Sequence, residues 1–137
     1  MKKKVLFICT HNAARSQMAE AFLNYLYPDR FEAYSAGTKP GALNQYAVKV
    51  MQEMGIDLGK HYSKHLSEFA GMEFDYVVTV CDKARESCPF FPGAKTYIHK
   101  SFDDPSQASG TDDEILEFTR KVRDEIRKFI VDYFGSI

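Results

Sequence analysis

The sequence predicts an α/β protein with a single domain, residues 1–137, built on a doubly wound parallel sheet of four strands with helices on both faces. Three observations favour this fold class. The length of 137 residues fits one domain of roughly 100–200 residues. Strand-like apolar runs alternate with helix-like segments, as in βαβ units. The first run, VLFI, is continuously apolar, which is typical of a parallel strand that is covered on both faces.

The N-terminal half alternates strand and helix twice. KVLFI is the first strand, and Ser16 is the predicted N-cap of a helix that extends to about Tyr25. The apolar face of this helix is marked at helical spacing by Met18, Phe22 and Leu26. FEAYS is the second strand, after which the turn sequence GTKPG leads to a second helix that Gly55 ends. The apolar face of the second helix is marked by Ala47, Met51 and Met54.

The C-terminal half contains two further predicted strands and a long helix. Residues 56–71, IDLGKHYSKHLSEFAG, are ambiguous. FDYVVTV is the clearest strand in the chain because it is rich in β-branched and aromatic residues, and KTYIH is a weaker candidate. Thr111 and Glu114 form the S/T-x-x-E capping-box pattern at the start of the last helix. One face of that helix carries Ile115, Val122, Ile126, Phe129 and Tyr133.

The charge balance and the cysteines limit the possible functions. A formal net charge of −1, from 18 basic and 19 acidic side chains, does not suggest a basic surface, so nucleic acid is not an expected partner. The apolar run after the N-terminal KKK is shorter than a signal-peptide core of roughly 7–15 residues, and no membrane partner is expected. Three cysteines in a chain that can build its own core favour a cytoplasmic location over a disulfide framework.

The stretch CTHNAARS, residues 9–16, places a cysteine and an arginine on the loop between the first strand and the first helix. Such a loop can aim successive backbone N–H groups at an anion, and the helix start adds partial positive charge. Arg15 adds a fork of donors that matches two oxygens of a tetrahedral oxyanion.

The same field favours a thiolate at Cys9. A thiol pKa lowered from about 8.5 to about 6 raises the ionised fraction at pH 7 from about 3% to about 90%. Cys9 is therefore a candidate nucleophile. The alternative is a buried cysteine with a packing role only.

The pattern C-x5-R-S after an N-terminal strand resembles the oxyanion loop of the low-molecular-weight tyrosine phosphatase fold, and the resemblance covers nearly the whole chain. Within that superfamily, four segments resemble thioredoxin-coupled arsenate reductases: RSQMAE, YSAG, VVTVC and FDDP. Gln17 stands where the phosphatases usually have proline, and Ser106 stands where they commonly have tyrosine after Asp-Pro. Both differences favour the reductase.

The resemblance implies a role for the loop residues and for one acid. Cys9 attacks the oxyanion, and Asp104 protonates the departing oxygen as general acid. Asn12 and Ser16 shape the loop and hydrogen-bond the thiolate. His11 stands where the family frequently has glycine, and histidine tolerates the positive φ that such a position can require. The residues implied in oxyanion binding are Thr10, His11, Asn12, Ala13, Ala14, Arg15 and Ser16. Without the resemblance, the Asp-Asp-Pro sequence also reads as an ordinary turn.

The resemblance also implies a thiol relay. Cys81 attacks the sulfur of Cys9 in the arsenate adduct, arsenite leaves, and Cys88 then forms a disulfide with Cys81 that thioredoxin reduces. If the residues between Cys81 and Cys88 were helical, seven steps of about 1.5 Å would separate the two Cα atoms by about 10.5 Å. A disulfide requires roughly 4.4–6.8 Å, so the relay predicts a local change of order on oxidation. Without the resemblance, Cys81 can also be a packed strand-end cysteine and Cys88 a surface thiol.

No metal or organic cofactor is predicted. Two cysteines without a nearby histidine pair do not provide the roughly four ligands of a metal site. The other histidines lack ligand spacing: His61, His65 and His99. Glu20 and Ser35 match positions that hold a potassium ion in some arsenate reductases, but Lys64 stands where a further carboxylate is expected.

The sequence thus predicts an arsenate reductase, for which phosphate is a competing analogue and a weak phosphatase side reaction is compatible. Two alternatives remain open. A tyrosine phosphatase would use Cys9, Arg15 and Asp104 and would not need Cys81 or Cys88. A non-catalytic oxyanion-binding or redox-sensing protein would bind phosphate without turnover.

Overall fold

The computed structural model describes residues 2–81 and 91–137. The strands in these ranges are β1 (Lys3–Ile8), β2 (Phe31–Ala36), β3 (Phe74–Thr79) and β4 (Ala94–His99). The α-helices are α1 (Arg15–Leu26), α2 (Gln45–Gln52) and α3 (Asp112–Phe134), and short 3-10 helices occur at Leu66–Phe69 and Pro105–Gln107. Residues 82–90 lie outside the described residues. They include Cys88 and the segment between Cys81 and Cys88 to which the helical spacing argument refers.

The four described strands form one parallel sheet in the order β2-β1-β3-β4, which confirms the predicted fold class. In the register of the sheet, Val5 of β1 lies between Ala33 of β2 and Tyr76 of β3. The central strand β1 becomes fully buried from Val5 onward, whereas β4 at the edge is mostly exposed. Because all four strands run in one direction, the loops that follow them lie at the same edge of the sheet.

Both faces of the sheet are covered, as the continuous apolar run in β1 predicts. Val5 and Phe7 face a core shared with α1, α2 and α3, and Leu6 and Ile8 face a second cluster on the other side. The second cluster is closed by the 3-10 helix Leu66–Phe69, through Phe69, together with Phe74 at the start of β3. Among the described residues, three α-helices therefore cover one face and a 3-10 helix covers the other.

The helix ends agree with the sequence patterns except at α1. Thr111 and Glu114 form the predicted capping box of α3. Gly55, with φ of 77°, follows α2 as predicted, although α2 itself ends at Gln52. The prediction that Ser16 caps α1 is wrong, because the helix already begins at Arg15. The Ser16 hydroxyl lies inside the first turn, where its oxygen accepts a hydrogen bond from the Asn12 side chain at 2.8 Å.

Helix α3 lies across α1 and α2 and is buried along one face. Its fully buried apolar residues are Val122, Ile126, Ile130 and Phe134. Two of the predicted face residues, Phe129 and Tyr133, are only partly buried and pack at the margin of the core. No helix in the described ranges is both long and apolar enough to cross a bilayer.

Candidate active site

Cys9 directly follows the central strand and carries a reduced thiol that is 3% exposed. Its backbone N–H donates to Ala36 O at 3.2 Å, which extends the β1–β2 pairing by one residue. Gly37 comes next on the β2 side, and a Cβ at this position would overlap the carbonyl oxygens of Cys9 and Thr10. The end of β2 therefore packs backbone to backbone against the start of the loop, and only glycine fits there.

The loop after Cys9 presents a run of backbone donors. Within the described part of the chain, the N–H groups of residues 10–14 donate no hydrogen bond. Helix α1 begins at Arg15, so the partial positive charge of its N-terminus lies at the end of the same loop. Backbone donors of this kind need an acceptor, and successive N–H groups in a loop form an anion-binding concavity.

The Arg15 guanidinium lies beside this loop and is 2% exposed. Its Nη1 donates to Phe102 O at 3.3 Å, and its Nη2 lies 3.3 Å from Asp104 Oδ2. Asp104 is the N-cap of the 3-10 helix Pro105–Gln107, and its Oδ1 accepts from Ser106 N at 2.9 Å. The structure thus brings the predicted general acid to the oxyanion loop, while the same carboxylate also caps a turn.

A pocket of about 180 Å³ opens between the oxyanion loop, the Asp104 turn and residues 41–44. This volume lies below the roughly 300–1,000 Å³ of sites for drug-sized molecules and suits a small anion. The predicted site residues that line it are Cys9, His11, Ala13, Ala14, Arg15 and Asp104. The other three predicted loop residues, Thr10, Asn12 and Ser16, do not line this pocket.

Asn12 points into the protein and shapes the loop from behind. It is fully buried and has φ of 50°, the one positive φ among non-glycine residues in the described ranges. Its Nδ2 donates to Ser16 Oγ at 2.8 Å, and its Oδ1 accepts from Lys64 N at 2.8 Å. The loop therefore places its left-handed residue at Asn12 rather than at His11, the position for which tolerance of positive φ was considered.

The remaining two polar loop residues have different surroundings. His11 is exposed, and its Nδ1 lies 3.0 Å from Lys39 O. Because a carbonyl oxygen can only accept, Nδ1 carries the ring proton in this contact. Thr10 Oγ1 is buried and has no hydrogen-bond partner among the described residues.

Gln17 is a buried site residue that the sequence indicated only as a departure from the phosphatase proline. Its Nε2 lies 2.9 Å from Asn12 Oδ1 and 2.8 Å from Tyr62 O, and it donates to both. Its Oε1 accepts from His61 Nδ1 at 3.0 Å. The sequence offers only the missing proline as a signal for this role, because the burial of Gln17 and its hydrogen bonds to distant residues appear only in the fold.

Behind the loop, the positions compared with a potassium site hold a lysine instead. Ser35 Oγ donates to Glu20 Oε1 at 2.5 Å, and Lys64 Nζ lies 3.8 Å from the same oxygen. An ammonium group already supplies positive charge to Glu20, so these residues do not fit a bound monovalent cation. Burial, reinforced by a hydrogen bond to Glu32, raises the pKa of the neighbouring Tyr34 to about 12.

Cys81 lies one strand away from Cys9. Val80 N donates to Ile8 O at 2.9 Å, so the residues that precede the two cysteines are hydrogen-bonded to each other across β1 and β3. Cys81 is fully buried and is disulfide-bonded. The structure therefore brings together Cys9, Arg15, Cys81 and Asp104, and Cys88 is not among the described residues.

Comparison with known proteins identifies the family to which this chain is similar. Residues 4–134 match the family model "Low molecular weight phosphotyrosine protein phosphatase". The chain is 43% identical over 129 residues to an arsenate reductase of Halalkalibacterium halodurans, which covers 94% of this chain and 93% of that relative. The resemblance that the sequence motifs indicate is thereby confirmed.

Solved structures give the same result. A structure of an arsenate reductase in the phosphate binding state aligns with a TM-score of 0.84 and 28% identity, over 100% of this chain and 99% of that one. A thioredoxin-dependent arsenate reductase of Corynebacterium glutamicum aligns with a TM-score of 0.69 and 27% identity, over 99% of this chain and 64% of that one.

Proposed function

The chain belongs to the low molecular weight phosphotyrosine protein phosphatase family, and on this basis we propose that it reduces arsenate to arsenite through a thiol relay. The observation that carries the proposal is the donor set around Cys9. Among the described residues, the backbone N–H groups of residues 10–14 donate no hydrogen bond, α1 begins at the end of the same loop, and Arg15 lines a small pocket together with Cys9. These groups bind a tetrahedral oxyanion and stabilise a thiolate at the same place.

The first step of the proposed reaction forms a sulfur–arsenic bond. The Cys9 thiolate attacks arsenic of the bound arsenate, and one oxygen leaves as water after it takes a proton from Asp104. Arg15 holds two of the remaining oxygens and balances the negative charge that develops on them. The Arg15 contact with Asp104 supports this assignment, because it holds the carboxyl at the pocket that Cys9 lines.

The second step reduces arsenic. The Cys81 thiolate attacks the Cys9 sulfur, the electron pair of the sulfur–arsenic bond stays on arsenic, and arsenite leaves. The product is a Cys9–Cys81 disulfide, which accounts for the two electrons that arsenic gains. The hydrogen bond between Val80 and Ile8 supports this step, because it holds the two cysteine-bearing strand ends side by side.

The third step returns Cys9 to the thiolate. Cys88 attacks Cys81, and a thioredoxin dithiol reduces the resulting Cys81–Cys88 disulfide. Two findings support this part of the proposal: Cys81 is disulfide-bonded, and one structural relative is a thioredoxin-dependent arsenate reductase. Thioredoxin acts in a reducing compartment, so the cytoplasmic location that the sequence predicts belongs to the same proposal.

A tyrosine phosphatase is the second candidate function. The family model favours it, and Cys9, Arg15 and Asp104 are the residues that it needs. The two functions differ in their use of Cys81 and Cys88, which phosphoryl transfer does not need. The same loop allows a weak phosphatase activity beside arsenate reduction.

The test is arsenate-dependent NADPH consumption in the presence of thioredoxin and thioredoxin reductase. We expect the parent to be active and each of Cys9→Ser, Cys81→Ser and Cys88→Ser to lose turnover. Hydrolysis of p-nitrophenyl phosphate is the control reaction, and of the three cysteines it should depend on Cys9 only. A parent that hydrolyses this ester but never consumes NADPH would be a phosphatase, and a parent that binds phosphate without either reaction would be a binding protein.

A further inference from the structure

Three side chains form a hydrogen-bond chain that ends on the backbone of Cys81. Thr79 Oγ1, at the end of β3, lies 2.6 Å from His99 Nδ1, at the end of β4. His99 Nε2 lies 3.0 Å from Ser101 Oγ. Ser101 Oγ in turn donates to Cys81 O at 2.9 Å. The Cys81 backbone is therefore tied to the neighbouring edge strand through a side chain two residues beyond that strand.

The Cys81 carbonyl can only accept, and this fixes the direction of both hydrogen bonds made by Ser101. Ser101 has one hydroxyl proton, which it gives to the Cys81 carbonyl, so its oxygen accepts from His99. The Nε2 atom of His99 therefore carries the proton of this hydrogen bond. The Cys81 carbonyl thus receives its hydrogen bond from a hydroxyl that the His99 ring orients.

The same short segment also contacts the anion-binding arginine. Phe102, the residue after Ser101, accepts from Arg15 Nη1 at 3.3 Å, and Asp104 lies 3.3 Å from Arg15 Nη2. Residues 101–104 therefore attach the Cys81 backbone at one end and Arg15 at the other. The oxyanion loop, through Arg15, and the Cys81 backbone are therefore both held by residues 101–104.

We propose that Ser101, oriented by His99, is a positioning residue for Cys81. It fixes the Cys81 carbonyl and so holds the Cys81 backbone at the end of β3, beside the strand end that precedes Cys9. This inference rests on the proposed function, in which Cys81 must reach the sulfur of Cys9. Attack on a sulfur requires a short approach along a defined direction, so a carbonyl held in place keeps the attacking atom close to the reactive geometry.

The direct test measures the accessibility of the Cys81 sulfur. In a Cys9→Ser/Cys88→Ser background, Cys81 is the one remaining thiol of the three in the chain. Its alkylation by iodoacetamide is followed by mass spectrometry at fixed pH. We expect Ser101→Ala to label about two to five times faster, because the sulfur is buried and reacts through local opening. The expected factor lies in the lower range for one net hydrogen bond, since Ser101 is exposed.

Three further variants locate the effect. Ser101→Thr keeps the hydroxyl and should label at the parental rate. His99→Ala should label faster than the parent but less so than Ser101→Ala. Ser136→Ala is the matched control, since Ser136 Oγ donates to Tyr133 O and has no contact with Cys81. Equal labelling of Ser101→Ala, Ser136→Ala and the parent would refute the inference.

Turnover provides a second readout in the chain with all three cysteines. Ser101→Ala should lower kcat for arsenate about two- to fivefold and leave KM unchanged, because arsenate binds to the oxyanion loop and Arg15. A raised KM with an unchanged kcat would assign Ser101 to anion binding and overturn the inference. A parent without arsenate turnover, combined with faster labelling of Ser101→Ala, would refute the proposed function and leave the positioning role intact.

Discussion

Gln17 connects the oxyanion loop to the segment that supports it. Its amide nitrogen donates to Asn12 and to the Tyr62 carbonyl, and its amide oxygen accepts from His61. Asn12 in turn donates to Ser16. A single buried side chain thus holds the one left-handed residue of the loop and the backbone behind it.

Gln17→Ala should weaken both folding and activity. The change removes one hydrogen bond each from Asn12 Oδ1 and the Tyr62 carbonyl, which both keep a donor from Lys64. At about 0.5–1.5 kcal/mol for each net hydrogen bond, we expect the unfolding free energy to fall by about 1–3 kcal/mol. The loop loses its support at Asn12, and kcat/KM for arsenate should fall about 10- to 100-fold. Urea unfolding and arsenate turnover measure the two effects.

The control for this prediction is Gln52→Ala. Gln52 is an exposed glutamine at the end of α2, so the same substitution there should change neither quantity appreciably. If both variants behaved alike, Gln17 would have no special part in supporting the loop.

Sequence patterns predict the positions of single site residues better than they predict the hydrogen-bond partners of those residues. The pattern C-x5-R-S indicates that Cys9 and Arg15 lie close together, because one short loop contains both. In the structure the two residues line the same pocket. Ser16 was assigned to a helix cap from its residue type, but its hydroxyl is used by Asn12 inside the first turn. The choice between these two partners depends on the buried position of Asn12, which is set by contacts with residues about 50 positions further along the chain.

At the scale of elements, an ion cluster joins the end of α2 to α3. Glu53 Oε2 lies 2.8 Å from Arg120 Nη2, and Glu53 Oε1 lies 2.8 Å from Arg123 Nη1. Arg123 Nη1 also donates to Val50 O at 2.9 Å. Hydrogen bonds from Arg120, with a further contribution from Arg123, lower the pKa of Glu53 below its ordinary value of 4.5.

This cluster should make folding stability depend on pH. Because the pKa of Glu53 is lower in the folded chain than in the unfolded chain, its contribution is complete above about pH 4.5 and is lost as the pH falls through the lowered pKa. At pH 7, Glu53→Gln should lower the thermal midpoint by about one to three degrees, the range of a partly exposed ion pair. The difference from the parent should narrow below pH 4.5.

Thermal unfolding between pH 3 and pH 7 measures this difference. Glu117→Gln is the control, since Glu117 is 79% exposed and contacts Arg120 at 3.3 Å. A difference between Glu53→Gln and the parent that stayed constant down to pH 3 would show that the carboxylate charge is not responsible.

The elements that sequence patterns predict well are those whose structure follows from their own residues. FDYVVTV forms β3 through Thr79, and the capping box begins α3 as the Thr111–Glu114 pattern predicts. Residues 56–71 were ambiguous because their structure depends on distant partners. Lys64 N donates to Asn12, and His65 pairs as an isolated bridge with Gly37. The hydrophobic periodicity of a short segment cannot predict contacts with residues so far away in the sequence.

At the scale of the whole molecule, the parallel sheet brings one anion site together from three separate loops. Cys9 and Arg15 follow β1, Cys81 follows β3, and Asp104 follows β4. These loops lie together because each of them follows a strand of the same parallel sheet. The volume of the pocket and the 3-10 turn at Asp104 depend on packing between these loops, which strand patterns do not specify.

Phosphate should stabilise the folded chain as a whole. A ligand that binds only the folded state adds RT ln(1 + [L]/Kd), about 1.4 kcal/mol at ten times Kd. For a chain of 137 residues this corresponds to a rise of about 4–5 °C in the thermal midpoint. The measurement compares phosphate with chloride at equal ionic strength.

Two arginine variants give this prediction its control. Arg15→Ala removes the guanidinium at the pocket and should abolish the rise. Arg127→Ala removes an exposed charge on α3 and should retain it. An equal rise in both variants would assign the effect to general salt action on the protein surface.

The contact between Arg15 and Phe102 has a consequence for the order in which the site is built during synthesis. These partners are 87 positions apart, and Asp104 lies further still along the chain. The ribosome releases the cysteine loop early, but that loop gains its arginine contacts only after residue 104 has left the exit tunnel. A nascent chain therefore carries an unassembled thiol for most of its translation. Oxidants or metal ions that meet it in that interval encounter Cys9 before the fold has buried it.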